Sequence, residues 1–120
     1  MTLTPTGLDH VAINVPDVPA AIDFYTKVLG LTLNGERPDF GFAGAWLDAG
    51  GQQVHLIELA VPPSMGQHFA LLYEDLDSVV GELRSQGFEV SDPKPSGPNR
   101  HQAFVNDPWG NAIELHQHPR

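Results

Sequence analysis

Three histidines and one glutamate have the types and spacing that a divalent metal ion requires. His10 lies 58 residues before His68, and His55 lies 59 residues before Glu114. Imidazole nitrogen and carboxylate oxygen suit zinc, nickel, manganese, iron or cobalt. The chain of 120 residues has no cysteine, so thiolate ligands are excluded. We therefore predict a site for one divalent metal ion with four ligands: His10, His55, His68 and Glu114.

The nearly equal offsets extend to the residues that begin and end the predicted helices. Asp17 and Asp75 have the type of helix-capping residues and are 58 residues apart, whereas Gly30 and Gly87 have the type of helix-ending residues and are 57 apart. In each half, a strand precedes the helix and three strands follow it. This order predicts an α+β fold of two tandem βαβββ modules that form a curved mixed-sheet cup.

The boundaries of these elements follow from apolar–polar alternation and turn residues. The modules cover about residues 7–60 and 67–117 of a single domain, 1–120. The predicted strands of the two modules lie near 7–15, 31–36, 41–48 and 52–60, and near 67–73, 88–91, 101–106 and 111–116. The proline-rich segment 92–100 is predicted to be a loop, either a lid over the site or a plain surface connection.

The alternation of apolar and polar residues also indicates which face of each strand carries the polar side chains. Each half-buried strand would leave an imidazole or carboxylate on its inner face, at a cost of several kcal/mol unless something binds it. Taken singly, such a histidine is more often an ordinary hydrogen-bonded residue, and Glu114 could point to solvent. If a pseudo-twofold axis relates the modules, however, the four side chains meet around one ion with open positions for a substrate.

Three polar side chains are candidates for catalysis, and one of them, His116, is not among the four predicted ligands. His116 follows Glu114 by two residues, so alternation places it on the same strand face as a proton acceptor or donor, with an exposed tail histidine as the alternative. We expect Trp46 to fill the core. The predicted catalytic residues are His55, His116 and Glu114.

Charge and composition narrow the range of partners. The formal net charge is −9 with only 6 Lys and Arg, which argues against nucleic acid and anionic membranes. No apolar run approaches the ~20 residues of a membrane span, and the first residues lack a secretory signal. The sequence predicts a cytoplasmic protein with a small-molecule partner.

Three motifs and a helix carry a resemblance to a known family. The motifs are LDHVAI at 8–13, GQHFA at 66–70 and DPWGNAIEL at 107–115, and the helix contains Phe24 and Tyr25 before Leu29, Gly30 and Leu31. Together they resemble the vicinal oxygen chelate superfamily, which includes glyoxalases, bleomycin-resistance proteins and dioxygenases. The resemblance implies paired βαβββ modules, a homodimer, and metal ligation by His10, His68 and Glu114.

The resemblance leaves several functions open. The leading hypothesis is a glyoxalase-like metalloenzyme that chelates neighbouring oxygens of a small substrate for an isomerase, lyase or epimerase type of proton transfer. His55 stands where glyoxalases and epimerases usually carry Glu or Gln, so it is either a ligand or a base. The alternatives are a metal-free drug-binding protein of the bleomycin-resistance type, a minimal extradiol-type dioxygenase, and a fosfomycin-modifying type of transferase.

Overall fold

The computed structural model describes residues 1–119, which fall into two compact units, Met1–Pro62 and the unit that begins at Pro63. The first unit contains β1 (His10–Val15), α1 (Val18–Asp23), a π-helical segment (Phe24–Val28), β2 (Thr32–Asn34), β3 (Gly44–Ala49) and β4 (Gln52–Glu58). The second contains β5 (His68–Leu72), α2 (Leu76–Ser85), β6 (Lys94–Gly97), β7 (Arg100–Asn106) and β8 (Ala112–Gln117).

The two units have the same sheet topology. Their strand orders are β1-β4-β3-β2 and β5-β8-β7-β6. In each sheet the first and fourth strands of the module are parallel, and the other pairs are antiparallel. Ala12 is paired with His55 in the first sheet, and Ala70 with Glu114 in the second. The predicted fold of two βαβββ modules is therefore confirmed, while their joining in one domain and one cup stays a prediction.

The helix ends lie where the sequence predicted them. The Asp17 carboxylate accepts a hydrogen bond from the Ala20 N–H (3.1 Å), and the Asp75 carboxylate accepts one from the Ser78 N–H (3.2 Å). Gly30 adopts a φ of 86°, in the left-handed region that favours glycine after a helix. The predicted first helix is α-helical only to Asp23, and the Thr26 hydroxyl donates to Ile22 O (2.7 Å) where the helix widens.

Each sheet has one face that supports a helix and one that carries the polar residues. Helix α1 packs on β3 and β4, and helix α2 packs on β7 and β8. The alternate residues of β8 that lie in the core, Ile113 and Leu115, are fully buried, whereas Glu114 and His116, each of which follows one of them, are partly exposed. Burial of the apolar face thus fixes the strand register, and the register presents Glu114 and His116 on the opposite face.

The predictions for the segment after helix α2 were wrong. The expected strand 88–91 forms only an isolated bridge, from Val90 to Val105, and the expected loop 92–100 contains β6. Strand β6 lies at the sheet edge, where a proline such as Pro95 is tolerated because an edge strand has backbone positions that need no hydrogen-bonding partner. The segment is therefore an edge hairpin, with its turn at Asn99 (φ 57°), rather than a lid or a structureless connection.

Candidate functional site

In the second module, the structure brings together a carboxylate and two imidazoles. His68 is the first residue of β5, and the distance between its Nε2 and Glu114 Oε1 is 3.3 Å. On the other side of the carboxylate, His116 Nδ1 lies 2.8 Å from Glu114 Oε2. Glu114 is 14% exposed and His116 is 15% exposed, so both are largely sheltered from water. Glu114 is thus the central group of this cluster.

The hydrogen bond on the far side of the His68 ring determines its tautomer. His68 Nδ1 lies 2.9 Å from the carbonyl oxygen of Gly66, which can only accept, so Nδ1 carries a hydrogen. In the neutral ring, Nε2 then presents a lone pair to Glu114 Oε1, which is also an acceptor. Two acceptors at 3.3 Å need a cation between them, either a proton or a metal ion.

The distance between these two atoms is suitable for a shared metal ion. Metal–ligand bonds of about 2.0–2.2 Å place two neighbouring ligand atoms roughly 3 Å apart. The hydrogen bond from His68 Nδ1 to a backbone carbonyl is the type of interaction that orients metal-binding imidazoles. His68 and Glu114 therefore have both the chemistry and the geometry of a ligand pair.

In the first module, the corresponding residues form a stack of rings. The His10 and His55 rings are 3.8 Å apart with an interplanar angle of 14°, and the opposite neighbour of His55 is Trp46, 4.8 Å away at 9°. His10 Nδ1 lies 2.8 Å from the Asp9 carboxylate, so this nitrogen donates and Nε2 carries the lone pair. His10 is thus prepared as a ligand in the same way as His68.

The stacking distinguishes the roles open to His55. A metal ion lies close to the plane of each imidazole that binds it, and two nearly parallel planes 3.8 Å apart do not meet at a common ion. His55 Nε2 donates to Gln53 Oε1 (2.8 Å), so its lone pair is on Nδ1. In this arrangement His10 and His55 do not share an ion, which favours a base or positioning role for His55.

We expect the pKa of His55 to lie below its usual value. Burial is the largest cause of this lowering, and the neighbouring His10 adds to it. NMR titration of the EDTA-treated protein should give a His55 midpoint below 6.5, and His10→Asn should raise it. As the pH falls, the unfolded chain takes up this proton before the folded chain does. The contribution of neutral His55 to the free energy of unfolding is therefore fully present above pH 6.5 and is lost as the pH falls through the folded pKa. A midpoint at or above 6.5 would contradict the partly buried, stacked position of the ring.

The four predicted metal ligands are therefore found as two pairs, each within its own module. Among residues 1–119, no three His, Asp or Glu side chains form a group that could hold a metal ion. Each pair occupies the equivalent position of its sheet, because His10 and His55 match His68 and Glu114 in the repeat. Their meeting around one ion stays a prediction.

Several residues that the sequence analysis did not single out border the His10–His55 stack. Phe40, Phe42 and Arg37, on the segment that connects β2 to β3, line a cavity of about 290 Å³ together with Trp46. Trp46 was expected in the core, but it is half-buried and its ring forms part of the cavity wall. A clue was present in the sequence, since segment 36–43 has two phenylalanines and an arginine in what is otherwise a polar, glycine-containing turn.

A second overlooked residue supports the strand that carries Glu114. The Asp107 carboxylate, 4% exposed, accepts hydrogen bonds from the backbone N–H of Trp109 (3.0 Å) and of Asn111 (2.8 Å). It also accepts from the Asn111 side chain (2.8 Å). In the sequence, Asp107 stood out only as the first residue of the motif at 107–115. Its buried carboxylate fixes the turn from which β8 begins.

The helices contribute one further finding. Within residues 1–119, no helix combines the length and apolar character needed to cross a lipid bilayer. The cytoplasmic location and the homodimer stay predictions.

The fold and the polar cluster agree with a family match. A family model of the Glyoxalase/Bleomycin resistance protein/Dioxygenase superfamily matches residues 7–115, and the chain belongs to this superfamily. The chain is 31% identical to the lactoylglutathione lyase of Escherichia coli O157:H7, with 88% of each protein covered. It is also 31% identical to lactoylglutathione lyase GLX1 of Arabidopsis thaliana, of which it spans 43% of the length while 90% of this chain is covered.

Solved structures show the same architecture. A Bacillus anthracis protein assigned to the glyoxalase family is 28% identical, with a TM-score of 0.85 and 98% of both chains covered. TnmS3, an antibiotic binding protein from Streptomyces sp. CB03234, is 25% identical, with a TM-score of 0.80 over 99% of this chain and 100% of that one. The vicinal oxygen chelate resemblance is thereby confirmed at the level of family and fold.

Proposed function

We propose that this chain is a divalent-metal-dependent enzyme of the glyoxalase type, acting on a small substrate with neighbouring oxygen atoms. The observation that carries the proposal is the pair of facing acceptors, His68 Nε2 and Glu114 Oε1, 3.3 Å apart. The similarity to lactoylglutathione lyases supports a lyase-type reaction. His10, with its Asp9 partner, is the proposed third ligand.

These residues would hold the ion, and the adjacent side chains would move protons. When bound, a divalent cation supplies Lewis-acid polarisation of a substrate carbonyl or hydroxyl oxygen. His116 donates from Nδ1 to Glu114, so Nε2 is the atom that can accept a substrate proton. The Glu114 carboxylate beside it stabilises the imidazolium that results. His55, with a lone pair on Nδ1, is the second proposed proton acceptor.

The test is metal-dependent turnover by the purified protein. EDTA-treated protein, reloaded separately with Zn²⁺, Ni²⁺, Mn²⁺, Co²⁺ or Fe²⁺, would be assayed with the hemithioacetal of methylglyoxal and glutathione, an acyl-CoA epimer, an epoxide and a catechol. We expect turnover of one class with at least one ion. His116→Asn should lower kcat by about 10²–10⁴-fold with metal content unchanged, because a proton acceptor is lost.

The matched control is His101→Asn, because His101 is an exposed histidine on β7 of the same module. This variant should retain activity. Absence of metal-dependent turnover with all four substrate classes would contradict the enzymatic proposal.

A second candidate function is metal-independent binding of a small molecule. The aromatic cavity in the first module supports it, as does the similarity to an antibiotic binding protein. Tight ligand binding that EDTA leaves unchanged, without turnover, would favour this function over the enzyme.

A further inference from the structure

The aromatic side chains beside His10 and His55 are more exposed than a closed core would leave them. Phe40 is 51% exposed and Phe42 is 53% exposed, although their ring centroids are 5.9 Å apart and Phe40 lies 6.3 Å from Trp46. Isolated exposed aromatics are common on protein surfaces, but here they are clustered around a concave wall. The cluster thus offers stacking surfaces to a ligand.

One cation is fixed within this cluster. The Arg37 guanidinium carbon lies 5.1 Å from the Phe40 ring centroid and 5.2 Å from that of Phe42. Arg37 Nη2 donates to Phe42 O (3.0 Å). A methyl group at Gly44 would lie 2.8 Å from Arg37 Nη2 and 2.5 Å from Leu56 O. This position of β3 therefore has no space for a side chain, and glycine leaves room for the guanidinium. The guanidinium is therefore positioned before any ligand arrives.

The charge of this arginine is not neutralised by the protein. Among residues 1–119, the ion pairs of carboxylates involve His10, Lys27, His68, Arg84 and His116, and Arg37 forms none. The chain has 15 acidic residues, and none of those that form an ion pair pairs with Arg37. The remaining N–H groups of its planar fork match the geometry of a carboxylate.

We propose that Arg37 and the aromatic cluster form a binding site for a planar organic carboxylate. The carboxylate would accept hydrogen bonds from Arg37, and the planar body would lie against Trp46 and Phe40. The cavity of about 290 Å³ is of a size for a small metabolite rather than a peptide. The assignment of a planar carboxylate as the substrate class rests on the proposed function. Binding of such a carboxylate in this cavity does not depend on the metal ion.

Binding of benzoate and of its neutral analogue benzamide tests the site. Both would be titrated into EDTA-treated protein and followed by the indole N–H signals of Trp46 and Trp109 in ¹H–¹⁵N NMR spectra. We expect benzoate to bind at least about tenfold more tightly than benzamide, as expected for a charge-assisted hydrogen bond. The Trp46 signal should shift, and the Trp109 signal should stay in place.

Two variants attribute this preference to Arg37. Arg37→Gln should abolish the difference between benzoate and benzamide, and Arg37→Lys, which keeps the charge without the planar fork, should reduce it. The matched control Lys94→Gln removes one exposed charge on β6 and should leave the preference intact.

Three results would overturn the inference. The first is equal binding of benzoate and benzamide by the wild-type protein, and the second is a preference that survives Arg37→Gln. The third is a combined result: the protein sediments as a dimer, Phe42→Ser dissociates this dimer, and benzoate does not bind. The aromatic cluster would then contact a second copy of the chain instead of a ligand. Since EDTA is present throughout, none of these results bears on metal binding, and a failure of metal-dependent turnover would not affect this test.

Discussion

Replacement of Glu114 by glutamine is expected to weaken binding of a divalent metal ion by a hundredfold or more. Glutamine keeps the size of the side chain but removes the charge that faces His68 Nε2 at 3.3 Å. The binding free energy of zinc at a four-ligand site is roughly 10–16 kcal/mol, so one ligand contributes about 2.5–4 kcal/mol. This contribution corresponds to roughly two to three powers of ten in affinity. Competition with a chromophoric chelator for Zn²⁺ or Ni²⁺ measures this change.

The control for Glu114→Gln is Glu89→Gln, which removes the same charge from an exposed position in the same module. This variant should bind the ion as the wild-type protein does. His68→Ala should resemble Glu114→Gln, because it removes the other member of the pair. Equal metal affinity of Glu114→Gln and wild-type protein would show that the ion, if bound, is held elsewhere.

Replacement of Asp107 by alanine is expected to lower the free energy of unfolding by about 3–5 kcal/mol. Three N–H groups would lose a buried, charged acceptor, and hydrogen bonds to charged groups contribute about 1.5–3 kcal/mol each before partial compensation by water. For a chain of this size, such a loss lowers Tm by roughly 10–20 °C. Thermal unfolding followed by circular dichroism measures the shift.

The matched control for Asp107→Ala is Asp92→Ala. Asp92 pairs with Arg84 at 2.8 Å, but its side chain is 84% exposed, and exposed ion pairs contribute little to stability. This variant should leave Tm nearly unchanged. If Asp107→Ala lowers Tm no further than Asp92→Ala does, the turn before β8 does not depend on its buried carboxylate.

The features that could be predicted from sequence are those encoded by local patterns. The capping residues Asp17 and Asp75 mark helix starts because a short carboxylate satisfies the free N–H groups of the first turn. Alternation along β8 places Ile113 and Leu115 in the core, and this leaves Glu114 facing the other way. The repeat offset then identified which residues of the two modules are equivalent.

The features that could not be predicted depend on contacts between distant residues. Strand β6 lies in a proline-rich segment, and only its place at the sheet edge makes Pro95 acceptable. The stacking of His10 on His55 depends on the parallel register of β1 and β4, which alternation within either strand does not contain. Arg37 belongs to the cavity because Gly44, seven residues later, leaves space for its guanidinium.

Anomalous scattering from a crystal soaked with Zn²⁺, recorded at the zinc edge, tests the metal site most directly. We expect a peak about 2.0–2.2 Å from both His68 Nε2 and Glu114 Oε1. A zinc peak bound only to other residues, or no peak at all with the two side chains still in direct contact, would contradict the site.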